Sequence, residues 1–242
     1  MKEAIDTQII ELQRFLEAHP ETEFVDVLLP DLCNIVRGKR VGRKHLEKLY
    51  DQGILIPSST FLLDVNGVGT NAGGRGFSDG DPDVTVRPAA GSLAPVSWAG
   101  PGAAQVLGIL YELDGEPCPV DPRHVLRRVV SRLADDGLYP VVALELEFYL
   151  LDSALADAGE AHPPVLPDTG RPAERTQVYS LADLDGVSSF LAEMESVCAA
   201  QRVPLGGASS EYAAGQFEIN LEHVSDPIAA ADHAILLQRA VK

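Results

Sequence analysis

The sequence predicts an α+β fold in two parts, the first rich in hairpins and loops, the second alternating helices with strands. Three observations carry this. Apolar residues recur at helical spacing near the N-terminus and again in two later segments. Two short stretches, LELEFYLLD (144–152) and QFEINLEHV (216–224), alternate apolar and polar residues with the period of a strand. Turn residues crowd the region from 57 to 92. The 242 residues, 45% hydrophobic and 23% charged, suffice for a sizeable core and one or two domains.

Ile5, Ile9, Leu12 and Leu16 mark a first helix; the charges between them exclude a signal peptide. EFVDVLLPDLCNIVRGKRVG reads as strand, turn and strand, with Pro30-Asp31 as the turn. The basic run Arg37, Lys39, Arg40, Arg43, Lys44 reads as a solvated hairpin leading into a helix, with phosphate or acid binding as the alternative. DVNGVGTNAGGRGFSDGDPD lacks GK[ST] and does not fit GxGxxG, so it is either a surface loop or a flap over a site. AAQVLGILYELDG is a strand ending in an Asp-Gly turn. DPRHVLRRVVSRLADDG is a helix capped by Asp121, opened by Pro122, lined by Val125, Val129 and Leu133, and stopped at Gly137. DLDGVSSFLAEMESVCAAQRVP is a second amphipathic helix, closed by Pro204. The domain boundary is placed between 113 and 118, giving residues 1–115 and 116–242.

The balance of 19 Lys+Arg against 36 Asp+Glu, a net charge of −17, excludes general nucleic-acid binding and attraction to anionic membranes. No apolar run is long enough to span a bilayer. Cys33, Cys118 and Cys198 form no CxxC and read as reduced thiols of a cytoplasmic protein.

The chemistry concentrates on glutamates. Glu145 and Glu147 share one strand face, opposite Leu144, Leu146, Phe148 and Leu150. Gln216, Glu218, Asn220 and Glu222 likewise oppose Phe217, Ile219 and Leu221, and Glu211 lies just upstream. Two adjacent carboxylates repel, so something positive should stand against them. If the two strands are neighbours, Glu145, Glu147, Glu211 and Glu218 converge, and an all-oxygen set calls for Mg2+ or Mn2+. The alternative is that half of them simply face solvent. Glu222 reads as ordinary, and spacing leaves His223 undecided.

LELEFYLLD, then SSEYAAGQFEINL, with DGEPCPVDPRHVL ahead of both, resembles the glutamine synthetase family, closest to its γ-glutamylpolyamine synthetase (glutamate–putrescine ligase) branch. FVDVLLPDLCNIVRGKRV is similar to that family's small β-grasp domain. The resemblance implies a β-grasp-like domain followed by a catalytic domain with a curved, mainly antiparallel sheet. It implies ATP-dependent amide formation, in which glutamate becomes a γ-glutamyl phosphate and an amine displaces phosphate. Glu147, Glu211 and Glu218 match ligands of the metal nearer glutamate, and Glu145 a ligand of the metal on the ATP side. Asp64 matches the aspartate near the ammonium site. The surrounding LDVNG departs from the family's Asp-Gly-Ser-Ser, which fits a bulkier amine such as putrescine. Gly206 stands where many relatives carry a nucleotide-side glutamate, and His223 where the family packs a residue on the nucleotide.

The family also implies a homo-oligomeric ring with sites between subunits, FLLDVNGVGT being lent to a neighbour. It continues for about as much chain again beyond the matched segments. The expectation is therefore an N-terminal half, inactive alone, that lacks the histidine, glutamate and arginines completing the ATP side. SDPIAAADHAILLQRAVK is expected to open as a capped helix at Pro227 and to run on without a C-cap. The parent activity implied is a glutamate–amine ligase. The alternatives are a glutamine synthetase using ammonia and a catalytically silent homologue or structural fragment.

Overall fold

The computed structural model describes residues 2–152, 162–173 and 177–242, with backbone alone for 2–6, so the side chain of Ile5 lies outside the described residues. The chain forms two compact units, Met1–Tyr139 and Pro140–Lys242.

The first unit contains α1 (Lys2–Ala18), β1 (Phe24–Pro30), β2 (Val36–Gly42), α2 (Leu46–Gln52), β3 (Ile54–Pro57), β4 (Asp83–Pro88), β5 (Ala94–Pro95), β6 (Ala103–Tyr111) and α3 (Pro122–Asp135). Its sheet runs β2-β1-β6-β4-β3, with β5 also on β6. β1 and β6 are parallel, and the other pairs are antiparallel. This mixed sheet under two helices has the expected β-grasp-like character. Leu12 of α1 and Leu46, Leu49 and Tyr50 of α2 share a core with Val25, Val27, Leu29, Val84, Val86 and Val106. Ile9 and Leu16 pack partly buried against it, as their spacing predicts.

The β1–β2 turn is built by Asp31, whose Oδ1 accepts from the Cys33 and Ile35 backbone N–H at 2.8 Å each. The basic run is used structurally. Arg37 Nε donates to Asp31 Oδ2 at 2.7 Å, Arg40 grips Asp26 and lies 3.8 Å over the Phe24 ring, and Arg43 donates to the carbonyls of Pro20 and Thr22.

Residues 57–92 are less of a loop than their turn residues suggest, because β4 lies inside them. Val84, Val86 and Pro88 alternate into the core, and β4 pairs with both β3 and β6. The glycine-rich part is pinned where Arg75 Nη1 meets Glu112 Oε1 at 2.9 Å, beside Cys118 Sγ at 3.8 Å. Asp121 caps α3 as expected: Oδ1 accepts from Arg123 N–H, and Oδ2 holds Leu110 N–H of β6. The face of α3 differs. His124 is buried, its Nε2 2.8 Å from the Leu110 carbonyl. Val125 and Val129 are 39% and 50% exposed, so the predicted apolar stripe does not build this core.

The second unit contains β7 (Glu145–Tyr149), α4 (Leu181–Asp185), α5 (Ser188–Ala200), β8 (Leu205–Ser210), β9 (Gln216–Leu221) and α6 (Pro227–Val241). Its sheet, β7-β9-β8, is wholly antiparallel, with a bulge between Leu205 and Ala208. The single helix expected from residue 183 to Pro204 is two. The break falls at Gly186-Val187, where Gly186 packs so closely on Leu166 that a Cβ there would stand 2.7 Å from Leu166 Cδ1. Asp168 then accepts from the Ser189 N–H and starts α5. Phe217, Ile219 and Leu221 are buried as predicted, and Leu166, Val187 and Phe217 form a core with Phe148 and Phe190 against it. Asp226 caps α6, accepting from Ile228 and Ala229 N–H. Among the described residues no helix is long and apolar enough to cross a membrane.

Candidate active site

The register of the second sheet decides which side chains meet. Glu147 stands opposite Glu218, Glu145 opposite Asn220 and Tyr149 opposite Gln216 across β7 and β9. Ser209 of β8 pairs with Glu218 from the other side. Directly opposed residues of antiparallel strands share a face. Ser209, Glu218 and Glu147 therefore form a row, on the face opposite Phe148 and Phe217.

Glu211 reaches the same face through a tight return. Its N–H donates to the Gln216 carbonyl at 2.9 Å. The turn needs glycine at 215, which has φ 75° and where a Cβ would stand 2.5 Å from Pro164 Cδ.

Like charges opposed across a ladder are destabilising, and neutral donors moderate the repulsion here. Gln216 Nε2 donates to Glu147 Oε2 at 2.6 Å, while Gln216 Oε1 accepts from the Ala213 N–H at 3.0 Å. Asn220 Nδ2 donates to Glu218 Oε1 at 3.0 Å. Ser209 Oγ lies 2.9 Å from Glu218 Oε2 and 3.1 Å from Glu211 Oε1. The sequence led us to expect a positive group against these carboxylates, yet among the described residues none of the four glutamates forms an ion pair. Glu145 and Glu147 are exposed, and Glu211 and Glu218 half-buried.

Sharing a face is not the same as forming a cluster. Among the described residues no three His, Cys, Asp or Glu side chains are gathered closely enough to hold a metal ion. The donor set itself suits a hard cation: every candidate ligand is a carboxylate, and each oxygen keeps a lone pair beyond its hydrogen bond. A small recess beside the Glu211 turn is lined by Leu166, Gln177, Asp183, Ser210, Glu211 and Gln216.

His223 is exposed two residues beyond the end of β9, and Glu222 is exposed as well. Asp64 belongs to the first unit. Its Oδ1 accepts from Asn66 N–H at 2.8 Å and Val68 N–H at 2.9 Å, and its own N–H donates to the Val68 carbonyl. Asp64 thus builds a turn; of its two carboxylate oxygens, only Oδ1 is hydrogen-bonded among the described residues. Sequence reasoning placed Gln216 and Asn220 on the acidic face without seeing their partners. It had no signal for Ser209, because LGGASS lacks the β-branched residues that mark a strand.

The profile described as "Glutamine synthetase, catalytic domain" matches residues 119–242. The chain is 40% identical to the γ-glutamylputrescine synthetase of Escherichia coli strain K12, over 96% of this chain and 49% of that protein. It is 29% identical to a glutamate–isopropylamine ligase of a Pseudomonas species, over 100% of this chain and 52% of that protein. The chain thus spans about half the length of the curated relatives it matches. Among solved structures, GmaS in its ADP complex aligns with TM-score 0.73 at 23% identity, over 95% of this chain and 47% of that one. A glutamine synthase homologue aligns with TM-score 0.71 at 24% identity, over 91% and 48%. At these identities the structural matches speak for the fold alone.

Proposed function

The chain belongs to the glutamine synthetase family, and from that premise we propose that its carboxylate face serves a ligase joining the γ-carboxylate of glutamate to an amine, dependent on ATP and Mg2+. The observation that carries this reading is the register-matched row of Glu147, Glu218 and Ser209, with Glu211 returned beside it by the Gly215 turn. Glu147, Glu211 and Glu218 would hold a cation on the glutamate side, and Glu145 one on the nucleotide side. Bound Mg2+ or Mn2+ would screen the anionic phosphates and carboxylate while the phosphoryl group moves.

The chain's own part is orientation. β7 and β9 fix the spacing of the glutamate backbones, while Gln216, Asn220 and Ser209 aim their carboxylates. In the proposed reaction a γ-carboxylate oxygen of glutamate attacks the terminal phosphorus of ATP and ADP leaves. A deprotonated amine nitrogen then attacks the carbonyl carbon and phosphate leaves. Asp64 is proposed to take the amine's proton, through the carboxylate oxygen its turn does not use. His223 is proposed to pack on the nucleotide. The amine is proposed to be putrescine or a related polyamine, which the 40% identity to a γ-glutamylputrescine synthetase supports. The reading also includes a homo-oligomer with sites between subunits, in the cytoplasm. The catalytic domain is proposed to begin near residue 116, although α3 is grouped with the first unit.

A chimaera tests this. This chain replaces the matching half of the E. coli relative, and the product is assayed with ATP, Mg2+, glutamate and, in turn, putrescine, isopropylamine and ammonium. ATP-dependent γ-glutamylputrescine is expected, with ammonium a poor acceptor. A folded chimaera that makes only glutamine would replace the polyamine with ammonia. One that makes no amide at all would remove the ligase reading.

A further inference from the structure

Ser209 occupies a position that the ligand set does not explain. It is 9% exposed, wedged between two carboxylates, and carries one hydroxyl proton. Its neighbour Ser210 points to the other side of the strand and is anchored there: Ser210 Oγ donates to the Gln177 carbonyl at 3.0 Å and accepts from the Ser180 N–H at 2.7 Å. That anchor, together with the Ser209–Glu218 register, fixes the backbone that presents the Ser209 hydroxyl.

We infer that Ser209 is a positioning residue for cation binding at this face: its hydroxyl, within hydrogen-bond reach of both Glu211 and Glu218, keeps the two carboxylates side by side. The inference rests on the carboxylate reading above and adds a residue that contacts neither substrate nor metal. The two oxygens in reach of its hydroxyl lie no more than about 6 Å apart. A hydroxyl donating to a carboxylate makes a charge-assisted hydrogen bond. Shared between two anions, its proton offsets part of the repulsion that would otherwise swing Glu211 out to solvent. Glu218 keeps Asn220 as a second donor, whereas Glu211 has Ser209 as its only side-chain donor among the described residues. Loss of the hydroxyl therefore falls mainly on Glu211.

The test is Mn2+ binding by the 242-residue chain, followed by the paramagnetic resonance of the free ion, with circular dichroism to establish folding. Ser209→Ala is expected to weaken binding by about 10-fold or more, as loss of a ligand-orienting partner does. Ser209→Thr, which keeps the hydroxyl, is expected to restore it to within about 2-fold of the parent. If Ser209→Ala does not fold, Ser209→Cys carries the test, because the thiol has similar size but is a weak donor; the same loss is expected. Parent-level binding in a folded Ala or Cys variant overturns the positioning role and leaves the carboxylate reading intact. Binding as weak in Ser209→Thr as in Ser209→Ala also overturns it, since the hydroxyl would then be insufficient. Absence of Mn2+ binding by the parent overturns the cation reading and this inference together.

Discussion

Glu147 and Glu218 face each other in register, each held by a neutral side chain, and this arrangement opposes stability to binding. A glutamine at 218 could still accept from Asn220, and its amide could donate to Ser209. Glu218→Gln should therefore leave the fold intact and, by removing one of two opposed charges, raise stability by about 0.2–1 kcal/mol. Mn2+ binding should fall at least about 10-fold, because a charged ligand is lost. Thermal unfolding and a Mn2+ titration of the same sample check the two signs together. Asp64 poses the opposite question, whether a turn-former also does chemistry. Asparagine keeps the Oδ1 acceptor used by Asn66 and Val68, so Asp64→Asn should preserve the turn. In the chimaera it should sharply lower amine-dependent turnover while glutamate-dependent ADP formation survives. Unchanged amine kinetics would leave Asp64 as a turn residue.

Elements of the second unit position the carboxylate face from behind. The break between α4 and α5 lets Gly186 seat Leu166, which packs with Phe217, the neighbour of Glu218. Gly186→Ala should force Leu166 aside and destabilise the unit by about 1–3 kcal/mol, read by chemical denaturation. On α6, burial holds the His233 imidazole below the usual histidine range, against the opposing pull of Asp232 and Asp226. The unfolded chain binds that proton more readily. Its contribution to stability is therefore full above the ordinary histidine value, about pH 6.5, and is lost as pH falls toward the folded value. Denaturation curves from about pH 7.5 to about pH 5 should show this decline, and His233→Gln should flatten it.

At the scale of the whole molecule, the chain carries a net charge of −17 and spans about half the length of its curated relatives. Phosphoryl transfer from ATP needs positive charge around the phosphates, and among the described residues no lysine or arginine pairs with the four glutamates. The 242 residues by themselves should therefore bind Mn2+ yet form no measurable γ-glutamyl amide. Mass spectrometry of the product, run beside the chimaera, checks this. Amide formation at the chimaera's rate would show that these residues suffice.

The sequence alone determined what depends on neighbours along the chain. The Asp121-Pro122 and Asp226-Pro227 helix starts, the Asp31 turn and the alternation of 145–149 and 216–221 all rest on local backbone geometry and side-chain period, and all appear where the residues put them. Motif order likewise carried the family. Local pattern missed β4, a strand inside a region crowded with turn residues and secured by pairing on both sides, and β8, whose small residues gain strand geometry only from β9. It also joined α4 to α5, because the close approach of Leu166 to Gly186 is made by a residue twenty positions away. Above all, parity could place Glu147 and Glu218 each on a face, but not on the same one. Only the β7–β9 register could do that, and only side-chain packing put the Ser209 hydroxyl between Glu211 and Glu218. Cross-strand register is set by contacts distant in sequence, which no local period encodes.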